Sequence, residues 1–421
     1  MVVQHVNEDA TLLLDALRRA TVLIPDVLQH ELPFPWFGLD IGGTLTKLVY
    51  FEVGAHDVYL DSDEDVQMGK TIRRYLLSNH TYSDSGCRDV HLQLDNVKIN
   101  GRTGTVHFIR FPTDQMLSFI QLVKSKGFAQ MSSTVCATGG GAVKYAQEIE
   151  DELAMSLHKS DELESLVKGI EMVAANCTDE CYYYENPLNI EKQVIWRWSS
   201  ARCSSTDEQF KGKCFADNLQ YPYVLVNIGS GVSVIVVRGK NNFQRVSGSS
   251  IGGGFFHGLC ALLCQVTSFE EAIELATRGD NHNVDKLVKD IYGSGYDSVG
   301  LPKETVAASF GKAISAEGRA GMSREDLARS ALVTTANNIG SIALNVANQH
   351  KVDRIVFVGA TSSALIRLPL GCSLPPWSSG PKEMKKALFL KHEGYFGAMG
   401  CLERLVELND SGIVSDEEAA D

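Results

Sequence analysis

Two stretches of this chain are built to one plan. Phe37–Glu52 and Tyr223–Val237 each run apolar, break at a glycine-bearing turn, and run apolar again; the turns are Gly42-Gly43-Thr44 and Gly229-Ser230-Gly231. Apolar runs of strand length around such a turn read as β-hairpins, since glycine reaches the backbone angles that a tight reversal needs. Each hairpin leads into mixed strand and helix signals and later into a Gly-Gly-Gly turn before a helix. Those turns are Gly139–Gly141, after a strand at Val135–Thr138, and Gly252–Gly254, after a strand at Phe243–Ser249. A chain that carries the plan twice is constrained to two α/β halves. With the halves facing each other, a glycine turn from each wall points into a shared cleft, which suits a chain of phosphates.

Length and charge narrow the class. At about 150 residues per domain, 421 residues predict two to three domains. The expected order is an extension over 1–32, a lobe over 33–220, a second lobe over 221–408, and an acidic, disordered tail over 409–421. The 39 basic against 52 acidic residues give a net charge of -13, which argues against a nucleic-acid surface. No apolar run reaches the length of about 18 residues that a membrane span needs. In the extension, Thr11–Leu28 has apolar residues at helical spacing broken by Pro25, and Glu8 and Asp9 precede it. That pattern reads as a packing or partner-contact helix rather than a secretory or organelle signal. Cys177 and Cys181, taken with Cys203 and Cys214, lack the tight C-x2-C knuckles of structural zinc sites. The ten cysteines read instead as reduced thiols of a cytoplasmic protein.

Further elements follow from local signals. Thr105–Phe111 alternates like a strand, and AVKYAQEIEDEL after Gly141 reads as one helix. Ser268 and Glu271 make a capping box for a helix that stops at Gly279; Ser323 and Asp326 open a long helix through Gln349. Arg354–Val358 is a buried strand ending at Gly359, and Glu393–Leu408 a closing helix.

The turns carry the chemistry. Gly42 and Gly43 let backbone N–H groups approach a phosphate, Thr44 adds a hydroxyl, and Lys47 offers a point charge. Asp40, just before the turn, is suited to hold Mg²⁺ or its waters. In the second turn Gly229 and Gly231 offer the same backbone, with the hydroxyls of Ser230 and Ser233. No Walker A loop is present, and no G-x-G-x-x-G joins a strand to a helix in the first half.

Over residues 33–408 the chain resembles the eukaryotic-type (type II) pantothenate kinases, which are built on the actin/hexokinase/Hsp70-like α/β fold of two duplicated lobes around a nucleotide cleft. The resemblance rests on FPWFGLDIGGTLTKLVYFE, HFIRFPT, CATGGGAVKY, LHKSDELESLVKGI, VNIGSGVSV, RVSGSSIGGG, FEEAIELATRGD, DKLVKDIYG, LARSALVTTANNIGSIA, RIVFVG and ALFLKHEGYFGAMG, in that order. It implies phosphoryl transfer from ATP with Mg²⁺ to the primary hydroxyl of pantothenate, the entry step of coenzyme A synthesis. It puts the catalytic base on Glu162, in K-x-D-E-L, and the pantothenate and acyl-CoA contacts on Ser230, Ser233 and Arg245. Arg245 is suited to pair with a carboxylate or with charge on the transferring phosphoryl. The resemblance also implies feedback inhibition by acetyl-CoA and a homodimer, with Ser323–Gln349 a candidate interface helix.

One segment departs from the family. Ala360–Lys386 replaces an Asn-Phe-Leu-Arg turn and a long amphipathic helix, and Pro369, Pro375, Pro376 and Pro381 exclude a continuous helix there. Intact flanks fit a shifted reading frame or an alternative exon. The segment puts part of the nucleotide wall, the dimer contact and the register of Trp377 in question. Two other readings stay open: a kinase of this fold acting on another small alcohol, and a catalytically impaired acyl-CoA-binding sensor.

Overall fold

The computed structural model describes residues 36–54, 86–125, 134–177, 180–184, 193–195, 221–296, 298, 300–359 and 386–410. The expected N-terminal helix, residues 360–385 with Trp377, and the chain beyond Asp410 lie outside them. The chain divides into two units: residues 1–88, 95–160 and 401–421, and residues 89–94 with 161–400.

The first unit contains β1 (Trp36–Ile41), β2 (Leu45–Val53), β3 (Cys87–Arg88), β4 (Leu94–Ile99), β5 (Arg102–Pro112), β6 (Thr134–Thr138) and β7 (Ser156–Lys159), bar the first residue of β4. Its sheet runs β3-β5-β2-β1-β6-β7, with β4 on β5. β1 and β2 form the expected hairpin, Asp40 opposite Lys47, and β5 adds antiparallel to β2. β6 then pairs parallel to β1, and β7 parallel to β6. Phe37, Leu39, Ile41, Phe111, Phe119 and Ile149 share a core against helices α1 (Met116–Ser125), α2 (Gly140–Lys144) and α3 (Ala146–Leu153). The single helix expected after Gly141 is two: the chain breaks at Tyr145, whose backbone sits at φ -102°, ψ 14°.

The second unit opens with α4 (Glu162–Asn176), then β8 (Cys181–Tyr184) and β9 (Gln193–Ile195). The second hairpin, β10 (Tyr223–Ile228) and β11 (Val232–Gly239), follows with β12 (Asn242–Ser249) antiparallel to β11. Helices α5 (Gly253–Cys264) and α6 (Phe269–Arg278) come next. A small β13–β14 pair (Lys286–Leu287, Val306–Ala308) brackets α7 (Val288–Tyr292). After α8 (Ala316–Ala320) and α9 (Arg324–Gln349), β15 (Arg354–Val358) and β16 (Lys386–Leu390) extend the sheet in parallel from β10. The order is β12-β11-β10-β15-β16-β8-β9.

β10 and β15 are apolar at nearly every position because both faces of a central parallel strand are covered. Val224, Val226 and Ile228 face a core with Phe256 of α5 and Ile339 and Ala343 of α9. Ser323 caps α9 as expected, accepting from Asp326 N–H at 3.0 Å. Ser268 caps α6, but the reciprocal half of the box shifts by one residue: Glu271 accepts from Thr267 N–H at 2.8 Å. The closing helix, α10, begins at Phe396 rather than Glu393 and runs to Asp410.

The two sheets share one order. β5-β2-β1-β6-β7 matches β12-β11-β10-β15-β16: a hairpin, a third antiparallel strand beyond it, and two parallel strands on the other side. This alignment corrects the pairing of the glycine turns. Gly139 follows β6, the parallel strand beside the hairpin, so its counterpart is Gly359 after β15; Gly252–Gly254 follows β12, the antiparallel strand beyond the hairpin and the equivalent of β5. Gly139 and Gly359 both hold positive φ, +84° and +124°. A Cβ on either would press the last carbonyl of the neighbouring hairpin strand, 2.6 Å from Ile41 O and 2.0 Å from Ile228 O. Only glycine tolerates both conditions.

Candidate functional site

The first turn is a four-residue connection between the paired residues Ile41 and Thr46. Its Gly42 N–H donates to Leu45 O at 3.1 Å and closes the reversal. The N–H groups of Gly43 and Thr44 take no recorded bond among the described residues, and nothing stands within 4 Å of where a Gly43 Cβ would be. Thr113, at the end of β5, grips the turn. Its N–H donates to Thr44 O at 2.9 Å and its hydroxyl to Gly42 O at 2.9 Å. That hydroxyl proton is therefore used, so Thr46 donates the 3.0 Å bond between the two side chains.

Asp40 and Lys47 face each other across the hairpin, Oδ2 to Nζ at 3.3 Å, both mostly buried. The other Asp40 oxygen, Oδ1, looks at Gly139, where a Cβ would stand 3.0 Å away. The missing side chain leaves room beside a carboxylate oxygen. A pair of unused N–H groups, a lysine and a carboxylate next to open space fit phosphate and Mg²⁺ chemistry.

The second turn is shorter by one residue, with Ile228 paired to Val232. Gly229 N–H closes it to Gly231 O at 2.9 Å. Here the grip is backbone alone: Gly253 N–H donates to Gly229 O at 2.9 Å and Gly254 N–H to Ser230 O at 3.0 Å. Gly229 and Ser230 are exposed. Ser233 lies on β11 and accepts from Arg245 Nε of β12 at 3.2 Å. The Arg245 head rests over Gly248, where a Cβ would meet Nη2 at 2.3 Å. Arg245 also lines a cavity of about 540 Å³, with Gln244 and Ser247 of β12 and Asn345, Gln349 and His350 at the end of α9. Val246, Ile342 and Val346 complete the lining, and the depression is open to solvent.

Glu162 is the first residue of α4 and is exposed. Its acidic neighbours hold the helix. Asp161 caps the helix, accepting from the N–H groups of Leu163 at 2.9 Å and Glu164 at 2.8 Å, and Glu164 pairs with Lys168 at 3.0 Å. The structure thus brings together Asp40, Gly42, Gly43, Thr44 and Lys47 in one unit, and Gly229, Ser230, Gly231, Ser233 and Arg245 around one hairpin in the other. Sequence reasoning missed Thr113, Gly248 and Gly359. Each closes a quoted motif or sits in one, HFIRFPT, RVSGSSIGGG and RIVFVG, so the motifs held the signal without the role.

Two sheets of one order, each led by a gripped glycine turn, define an actin/hexokinase/Hsp70-like α/β protein. Residues 36–404 match the family described as Fumble, and the chain belongs to that family, that of the eukaryotic-type pantothenate kinases. It is 34% identical over 391 residues to a mouse protein named 4'-phosphopantetheine phosphatase, a match covering 92% of this chain and 43% of that protein. It is 36% identical over 369 residues to pantothenate kinase 1 of Arabidopsis thaliana, covering 86% of this chain and 83% of that protein. Among solved structures, an activator of 2-hydroxyisocaproyl-CoA dehydratase from Clostridium difficile, with bound ADPNP, aligns over 92% of this chain and 100% of its own. The identity there is 12% and the TM-score 0.42. Among the described residues, no helix is long and apolar enough to cross a membrane.

Proposed function

We propose that this chain is a pantothenate kinase, transferring the γ-phosphoryl group of ATP to the primary hydroxyl of pantothenate. Glu162 carries the reading. It is the first residue of α4, directly after the capping Asp161, and its side chain stands at the exposed helix start. A carboxylate there is suited to orient the hydroxyl and accept its proton as oxygen attacks phosphorus and ADP leaves. Gly43 and Thr44 N–H and Lys47 bind phosphate oxygens, and Gly229, Ser230 and Gly231 offer the second set of backbone and hydroxyl donors. Arg245, aimed by Ser233 and seated over Gly248, binds the pantothenate carboxylate or charge on the moving phosphoryl. Asp40 would hold Mg²⁺ or its waters, and the ion supplies charge neutralisation on the β- and γ-phosphates. The relative named pantothenate kinase 1 supports the substrate. The mouse protein's name does not assign a phosphatase to this chain, because the match spans 43% of that protein. Feedback by acetyl-CoA on Ser230, Ser233 and Arg245, a homodimer with α9 at its interface, and a cytoplasmic location belong to the same proposal.

The test is direct: purified chain with ATP, Mg²⁺ and pantothenate, with phosphopantothenate measured for the parent and for Glu162→Gln. Product from the parent and a loss of about 10²–10⁴ in the variant is expected. Equal rates would remove Glu162 from the mechanism. No product from either, with acetyl-CoA still bound, would favour the sensor reading instead.

A further inference from the structure

Cys177, Glu180 and His392 reach one point from three elements. Cys177 caps the C-terminus of α4, its N–H donating to Val173 O at 2.8 Å. Glu180 stands just before β8 and His392 just after β16. Their backbones are tied, Lys391 N–H to Glu180 O at 3.0 Å and His392 N–H to Glu180 Oε1 at 3.0 Å. The candidate ligand atoms of the three side chains all lie within 4.8 Å of one another. Glu180 is 1% and His392 2% exposed, while Cys177 is half-buried. Cys181, the partner that sequence spacing offers to Cys177, is instead buried in β8.

The tautomer is fixed by a neighbour. His392 Nε2 lies 2.6 Å from Leu92 O, and a carbonyl only accepts, so Nε2 carries a proton. His392 Nδ1 then faces Glu180 Oε2 at 2.5 Å across one shared proton. An imidazole that donates one N–H to a carbonyl and turns its other nitrogen to a carboxylate and a thiol has the outer-shell support of a metal-ligating histidine. One thiolate, one imidazole and one carboxylate form a borderline-soft set that suits Zn²⁺ and is wrong for Mg²⁺ or Ca²⁺.

We propose that Cys177, Glu180 and His392 form a three-ligand site for a zinc-class divalent cation, with a fourth position on the open Cys177 side. On binding, metal–sulfur, metal–oxygen and metal–nitrogen bonds form. The Cys177 S–H proton and the proton shared by Glu180 and His392 leave to solvent, and no electron moves. Two protons depart as a double charge arrives, so the buried site stays neutral before and after, which avoids the cost of burying a net charge. The site is independent of the kinase reading.

The experiment treats the full, reduced chain with chelator and then titrates Co²⁺, reading the sulfur-to-cobalt charge-transfer band, metal content and proton release. About one Co²⁺ per chain, about two protons released, and a band erased by Zn²⁺ are expected. Cys177→Ser, at a half-buried position, keeps the helical circular dichroism but loses the band, with affinity down at least about tenfold. Glu180→Gln is the companion where folding permits. No band and no bound metal in the parent would overturn the proposal, and so would a band of equal strength in Cys177→Ser.

Discussion

The two hairpin turns share a backbone and differ in everything attached to it. Both close with the first glycine's N–H, leave the next two N–H groups unused among the described residues, and are gripped from the start of the segment after the third strand. In the first unit that grip is Thr113, with a buried hydroxyl relay to Thr46, and charge sits beneath the turn in Asp40 and Lys47. In the second the grip is glycine backbone, and the turn carries hydroxyls with an arginine beside them. A duplicated scaffold has been given two chemistries. The charged turn suits the transferring end of a nucleotide, and the hydroxyl-and-arginine turn suits an acceptor with a carboxylate.

The scaffold half of that comparison breaks hardest at Gly359. Gly359→Ala forces a side chain into φ +124° and to 2.0 Å from Ile228 O, so we expect a loss of about 3 kcal/mol or more in chemical denaturation. Gly43→Ala, with nothing within 4 Å and no positive φ, should leave stability within about 0.5 kcal/mol while weakening ATP binding. Equal stabilities for the two variants would undo the assignment of Gly359 as a packing position. The chemical half is tested by rate. Asp40→Asn should lower kcat by about 10²–10³, against about tenfold or less for Ser230→Ala. Comparable losses from both would mean the turns do not divide the work.

The hairpins and the long helix after Ser323 were legible because their signals are local: apolar runs, a glycine turn, a cap and its third residue. The equivalence of Gly139 with Gly359 was not. It depends on which strand lies beside Ile41 and which beside Ile228, and that is set by parallel pairings across long loops. The repeated Gly-Gly-Gly, at Gly139–Gly141 and Gly252–Gly254, points by itself to a different pairing. Ser156–Lys159 was missed as a strand because four residues, SLHK, carry no usable period, though its place beside β6 is fixed by the sheet. At the candidate site, composition does not separate Glu162 from Asp161 and Glu164; the structure gives Asp161 the cap and Glu164 an ion pair with Lys168, which no count of acids reveals. Cys177, Glu180 and His392 left no local trace, since 212 residues separate the last two.

Smaller effects sharpen the difference in how the turns are held. Thr113→Val keeps the shape but strips Gly42 O and Thr46 Oγ1 of a buried partner, for an expected cost of about 1–3 kcal/mol. In a double-mutant cycle with Thr46→Val the two changes should couple, because they delete one relay. The second turn has no such side chain to remove, and the corresponding small change there is Ser233→Ala. It frees Arg245 Nε from a 3.2 Å bond on an exposed surface, so stability should move by no more than about 0.5 kcal/mol. The guanidinium would still rest over Gly248 but lose its aim. The expected signature is a rise of about tenfold in KM for pantothenate with kcat nearly kept, the pattern of lost ground-state binding. A fall in kcat with KM unchanged would instead place Arg245 on the moving phosphoryl, and the second turn would then share the transition-state charge assigned above to the first.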